Sequence, residues 1–231
     1  MAFNPNNYKP PVCKTLPVVL LLDVSGSMSG EKIQNLYDAT VEMINTFVAE
    51  KVKETIIDVA IITFGDEIKL HTPFTPVSDL QKMGVNKFVA SGMTPLGTAL
   101  KMAKDMIDDK TVLPSPIYTP AIVLVSDGQP NDEWKSSLQN FLTTGRSQKC
   151  QRFAIAIGND VDVDMLEKFT TDRSMVFFAE RSSDIATCFK KFSMSVSTRS
   201  RSTNPNYIPT PSGAIFDNNT SHDSDDEDEF I

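Results

Sequence analysis

Cysteine, histidine and tryptophan are scarce in this chain: three, two and one of 231 residues. Cys13, Cys150 and Cys188 form no Cys-x-x-Cys pair, so neither a disulfide framework nor a thiolate zinc site is expected. Free thiols in a reducing, cytoplasmic setting are the expectation, with Cys150 and Cys188 packed as small hydrophobes among apolar neighbours. His71 and His222 have no companions for a ligand set or for a Ser/His/Asp triad, and receive no role. Long hydrophobic runs are missing too. The longest, around Val18–Leu22, falls far short of the roughly 20 residues that a membrane span needs. The first 14 residues lack an apolar core, so no secretory signal is expected.

An excess of positive charge is likewise absent. The net charge is −8, and it is unevenly placed. Seven of the 30 acidic residues lie in Asp217–Ile231, which has no Lys or Arg. The rest of the chain holds 23 acidic against 22 basic residues. A nearly neutral body with an acidic tail argues against a nucleic-acid face.

What is present is an alternation of short apolar runs with helix-spaced segments. Leu16–Asp23 reads as a buried strand that stops at an aspartate. Glu31–Lys51 repeats apolar residues at Ile33, Leu36, Val41, Ile44 and Val48, a helical stripe. Ile56–Phe64 is a second strand, rich in β-branched residues. Gly65-Asp66 then turns the chain into Glu67–Thr72, an antiparallel edge. Pro76–Met83 is a short helix. Pro95–Asp109 is a longer one, with Pro95 at its first position and Thr94 as N-cap. Ala121–Ser126 is a third buried strand, followed by a helix over Asp132–Thr144. Phe153–Ile157 (strand), Asp164–Thr170 (helix), Met175–Phe178 (strand) and Ser183–Val196 (helix) complete the pattern.

The fold class is α/β: a Rossmann-like, mostly parallel sheet with one antiparallel edge strand and helices on both faces. Residues 15–202 form the domain. Residues 1–14 and 203–231 are tails, the second too polar and acidic to fold alone.

Ligands of such sheets bind at the carboxyl ends of strands, and there the chain carries oxygen donors. Asp23-Val24-Ser25-Gly26-Ser27 ends the first strand; Gly26 is expected to let the loop fold tightly so that both hydroxyls converge. Thr94 precedes a helix, and Asp127 follows the third strand. By itself D-x-S-x-S is equally an Asx turn capping the next helix. Three donor-bearing loops at strand ends shift the balance toward a hard divalent cation.

LLLDVSGSM, SGMTPLGTAL and VLVSDGQPND resemble the three segments of the metal-ion-dependent adhesion site of von Willebrand factor A domains. The resemblance runs from about Leu16 to Val196. SDGQPNDEW and RSRSTNP are similar to the bacterial TerY type, which is associated with tellurite resistance and stress. The resemblance implies that Asp23, Ser25, Ser27, Thr94 and Asp127 form the metal site. It implies Mg²⁺ first, with Mn²⁺ or Ca²⁺ as alternatives, and an open position for an Asp or Glu of a protein partner. It further implies a non-catalytic adaptor role, with a protein kinase and a PP2C-like phosphatase as partners.

The competing expectation is a metal-dependent phosphatase or phosphotransferase. A haloacid-dehalogenase-type enzyme would want an aspartate two residues after Asp23, where Ser25 stands. Neither a G-x-x-x-x-G-K-[ST] loop nor a G-x-G-x-x-G fingerprint occurs.

Other features stay open. Trp134 either faces a partner or is a packed anchor. Asp66 and Glu67 are turn and edge charges. Asp160, Asp162 and Asp164 are helix-initiating charges rather than a calcium loop. The acidic tail is a solubilising terminus, a tethered ligand for the metal, or a substrate for phosphorylation at Ser221 and Ser224. Arg199 and Arg201 offer that tail a nearby opposite charge.

Overall fold

The structure is a computed structural model that describes residues 14–49, 55–202 and 204–206. Residues 1–13 and 207–231, including nearly all of both expected tails, lie outside the described residues, as do Cys13, His222, Ser221 and Ser224. Six strands form one sheet in the order β3-β2-β1-β4-β5-β6. They are β1 (Lys14–Asp23), β2 (Thr55–Phe64), β3 (Ile68–Pro76), β4 (Ala121–Ser126), β5 (Gln151–Ile157) and β6 (Val176–Ala179). All neighbours pair in parallel except β2 and β3, which are antiparallel. Mostly parallel pairing with one antiparallel edge is the expected architecture.

Among the described residues six α-helices cover the sheet: α1 (Glu31–Ala49), α2 (Val77–Met83), α3 (Leu96–Asp108), α4 (Trp134–Thr143), α5 (Val163–Thr170) and α6 (Ile185–Arg201). Alternation along β1 divides the core. Leu16, Val18, Leu20 and Leu22 pack with Leu36, Met43 and Phe47 of α1 and Phe189 and Phe192 of α6. Val19 and Leu21 face the other way, into Leu100 and Ile107 of α3, Phe141 of α4 and Phe169 of α5. A strand buried on both faces must be apolar at every position, which is why PVVLLL is unbroken.

Several boundaries differ from the expected ones. The buried stripe of α1 is Leu36, Ala39, Thr40, Met43, Ile44 and Phe47, with Ile33, Val41 and Val48 only half-buried at its margins. Thr94 does not cap α3. Pro95 stands at the N-cap without a side-chain bond, and the Asp132 carboxylate accepts from the amides of Gly97 and Thr98 instead. A distant carboxylate thus meets the free donors of the first turn and suits the helix dipole. Asp132 and Glu133 consequently precede α4, which starts at Trp134. Asp162 caps α5 by accepting from the Met165 amide, in line with its helix-initiating reading.

Helix α6 runs on to Arg201 because Arg199 is a buried anchor, 1% exposed. Its guanidinium donates to Gln151 Oε1 (2.7 Å), Thr119 O (2.6 Å) and Pro205 O (2.9 and 3.0 Å). Burial lowers its pKa to about 10. Arg199 is therefore engaged inside the fold and is not the charge offered to the tail. Arg201 bonds Ser197 O. Cys150 and Cys188 are free and buried, as expected. Among the described residues no helix is long and apolar enough to cross a membrane.

Opposite the carboxyl ends of the strands, Asp108 at the end of α3 ties down the turn after α4. It accepts from Lys104 Nζ (2.6 Å) and from the amides of Arg146 (2.6 Å) and Ser147 (3.1 Å). Burial pushes this carboxyl up, but the bonds from Lys104, Ser147 and Arg146 outweigh it and hold it below its ordinary range. A carboxyl lowered in the fold contributes stability above its unfolded pKa of about 3.9, lost as pH falls through the folded value. Asp108→Asn is therefore expected to cost about 2 kcal/mol at pH 7. In urea denaturation over a pH series, the gap between variant and wild type should narrow below about pH 4.

Candidate metal centre

The sheet order reverses between β1 and β4: the chain runs outward from β1 to β2 and β3, then returns to β4 on the other side. Such a switch point leaves a crevice beyond the strand ends. Asp23 closes β1, and Asp127 directly follows β4. Parallel pairing of Leu22 with Val125 places Asp23 beside Ser126, whose hydroxyl donates to Asp23 Oδ2 at 2.6 Å. The other oxygen, Oδ1, accepts from the Ser25 amide at 2.9 Å. That second bond is the Asx turn considered as the alternative; it is present and is part of the site.

Ser25, Ser27 and Asp127 form one hydrogen-bonded chain. Ser25 Oγ lies 3.0 Å from Ser27 Oγ, and Ser27 Oγ donates to Asp127 Oδ1 at 2.6 Å. Lys32 Nζ donates to Asp127 Oδ2 at 2.6 Å. Thr94 reaches the same place from the loop before α3. A side chain on Gly128 would begin 3.6 Å from Thr94 Oγ1 and 3.9 Å from Ser27 Oγ. Thr94 Oγ1 and Ser27 Oγ thus both lie beside Gly128, directly after Asp127. All five expected residues, Asp23, Ser25, Ser27, Thr94 and Asp127, converge on one crevice. Ser27 is the exposed member; Asp23, Ser25, Thr94 and Asp127 are buried.

Burial is the largest influence on Asp23 and raises its pKa, with the charge of Asp127 adding to the rise. Bonds from Ser126 and Ser25 act in the opposite direction without cancelling it. Two buried carboxylates near one another, beside three hydroxyls, form an all-oxygen set suited to a hard cation. Among the described residues no group of three or more His, Cys, Asp or Glu could hold a metal ion, so the two carboxylates would need neutral oxygen donors beside them, as the neighbouring hydroxyls are.

The loops are stitched together by their backbones. Val24 N bonds Phe64 O, Ser91 N bonds Val24 O, Gly26 N bonds Gly92 O, and Asp66 N bonds Ser91 O, all at 2.8–3.0 Å. Asn131 N bonds Thr94 O at 3.1 Å. This corrects the expectation for Gly26. A Cβ there would meet Gly92 O at 3.6 Å, an ordinary contact, and Gly26 has no positive φ. Gly92 is the constrained position: its φ is +77° and a Cβ would overlap the backbone of Asp66.

Ser126, Lys32 and Gly92 join the site without being among its five expected donors. Ser126 was legible from the register, since parallel β1 and β4 set it beside Asp23. Trp134 is partly buried against the α3–α5 side of the core, the packed-anchor alternative. His71 lies on β3 with its ring 5.1 Å from that of Phe88.

Gly92→Ala forces both a strained φ and an overlap with Asp66, and should destabilise the fold by at least about 2 kcal/mol. A urea unfolding midpoint measures this; a midpoint equal to that of wild type would show that the Thr94 loop is not held as described.

Comparison with known proteins agrees with this architecture. The von Willebrand factor type A domain profile matches residues 18–191. Inter-alpha-trypsin inhibitor heavy chain H2 of Sus scrofa is 30% identical over 192 residues, covering 78% of this chain. Heavy chain H4 of Homo sapiens is 27% identical over 177 residues, covering 71%. The chain spans only about a fifth of the length of these curated relatives, 20% and 18%. Among solved structures, proximal thread matrix protein 1 from the mussel byssus, with a zinc-occupied MIDAS motif, superposes with a TM-score of 0.64 at 20% identity. That match covers 78% of this chain and 47% of the other. The pilus adhesin SpaC of Lactobacillus rhamnosus GG gives 0.63 at 13% identity in its open conformation, covering 78% and 30%. With the profile spanning most of the folded residues, the chain belongs to the von Willebrand factor type A domain family, whose members include metal-dependent protein-interaction modules.

Proposed function

We propose that this chain is a non-catalytic binding module that docks an acidic side chain of a protein partner on a divalent cation. The cation would be held by Asp23, Ser25, Ser27, Thr94 and Asp127. The observation that carries this reading is the convergence of three hydroxyls and two buried carboxylates on the crevice at the β1/β4 switch point. Ser25, Ser27 and Thr94 present neutral oxygens. Asp23 and Asp127 orient two of those loops and supply negative charge from behind. Such a donor set suits Mg²⁺ and equally admits Mn²⁺ or Ca²⁺. A bound cation supplies an under-neutralised positive charge that a carboxylate oxygen can complete.

Further support comes from the similar structures, which include one with a zinc-occupied MIDAS motif and a pilus adhesin. The phosphatase alternative gains nothing from the geometry: serine stands at position 25, and His71 is the one histidine among the described residues and sits on β3, packed on Phe88. The finer reading, an adaptor of TerY type between a protein kinase and a PP2C-like phosphatase in tellurite resistance or stress response, rests on the sequence resemblance alone. Cytoplasmic location is supported by the two free thiols, Cys150 and Cys188.

The test is capture from an extract of the native cells, with wild type and Asp23→Ala run side by side, each in Mg²⁺ and in EDTA. A partner retained only by wild type in Mg²⁺, and released by excess glutamate, is the expected result. Equal capture in all four conditions would show that binding does not pass through this crevice.

A further inference from the structure

Lys32 stands where the electrostatics of a helix would not place it. It is the second residue of α1, inside the first turn, where aligned peptide dipoles favour an anion. Glu31 obeys that preference and Lys32 opposes it. Its ammonium reaches Asp127 Oδ2 at 2.6 Å; the Asp127 side chain is fully buried, and that of Lys32 is 34% exposed. Asp127 Oδ1 is already bonded by Ser27 Oγ. Both oxygens of this carboxylate are therefore taken, one of them by a full positive charge.

We propose that Lys32 is a positioning residue that weakens cation binding in order to strengthen docking of the partner's acid. This rests on the cation reading given above. The charges count simply. Asp23 and Asp127 contribute two negative charges and Lys32 one positive, so a divalent ion at the crevice is left with one uncompensated positive charge. One incoming carboxylate matches it. Without Lys32 the two aspartates balance the ion by themselves, so the ion is held more tightly and an acidic group is drawn in less strongly. Lys32 also fastens Asp127 Oδ2 to the first turn of α1.

The experiment is a titration of the full chain with Mn²⁺, read as free Mn²⁺ by electron paramagnetic resonance. Wild type, Asp23→Ala, Lys32→Met, Lys32→Gln and Lys32→Arg are compared, each checked for folding by circular dichroism. Lys32→Gln retains an N–H donor for Asp127 and separates the charge from the hydrogen bond. Lys32→Met and Lys32→Gln are expected to bind Mn²⁺ at least about ten-fold more tightly than wild type. Lys32→Arg should stay within about three-fold of it, because the charge is kept. Asp23→Ala should lose binding. If wild type binds, Asp23→Ala does not, and the neutral Lys32 variants bind equally or more weakly, the role of Lys32 is overturned and the site reading survives. If no variant binds Mn²⁺ saturably, the cation reading itself falls, and this inference with it.

Discussion

Two carboxylates, Asp23 and Asp127, are buried beside each other at the ends of adjacent parallel strands. Removing like charges from water is costly unless every lone pair finds a donor and some opposite charge is near. Much of the surrounding structure answers that requirement. Ser126 and the Ser25 amide take the two oxygens of Asp23; Ser27 and Lys32 take those of Asp127. These donors come from three places, the loop after β1, the end of β4 and the first turn of α1, so meeting the hydrogen-bonding demand also fixes their relative positions. The hydroxyls of Ser25 and Ser27 are drawn into the crevice by the same bonds.

That arrangement needs a rigid floor, and the sheet provides it. β1 is paired on both sides and sealed by apolar side chains above and below, so its last residue has little freedom. At the opposite end, Asp108 and Arg199 hold the connecting turns with several hydrogen bonds each. Polar anchoring is thus present at both ends of an apolar middle. Only the crevice end is built around two neighbouring negative charges, and that asymmetry sets the two ends apart chemically.

Much of this was legible in the sequence, for reasons that differ by element. The strands were plain because burial on both faces demands unbroken apolar runs, as in Val18–Leu22 and Ala121–Val125. Asp23, Ser25, Ser27 and Asp127 were legible because they follow the ends of β1 and β4, and Thr94, which lies between α2 and α3, because it stands in a donor-bearing loop. Helix starts were less so. Thr94 before Pro95 has the look of a cap, yet its hydroxyl turns toward Gly128 while Asp132, 35 residues away from Gly97, caps α3. Long-range capping leaves no local trace. The same holds for Gly26 and Gly92: only the approach of the Asp66 backbone reveals which glycine is required. Arg199 followed a helical pattern that lapses into Ser, Arg and Thr, so its burial beneath Pro205 and Thr119 could not be seen from composition.

The central claim is that Ser25, Ser27, Thr94, Asp23 and Asp127 surround one cation. Crystals soaked in Mn²⁺ and measured at the manganese absorption edge test it directly. A single strong anomalous peak between Ser25 Oγ, Ser27 Oγ and Thr94 Oγ1, at about 2.2 Å from each, is the expected result. A peak elsewhere on the surface, or none at saturating Mn²⁺, would contradict it.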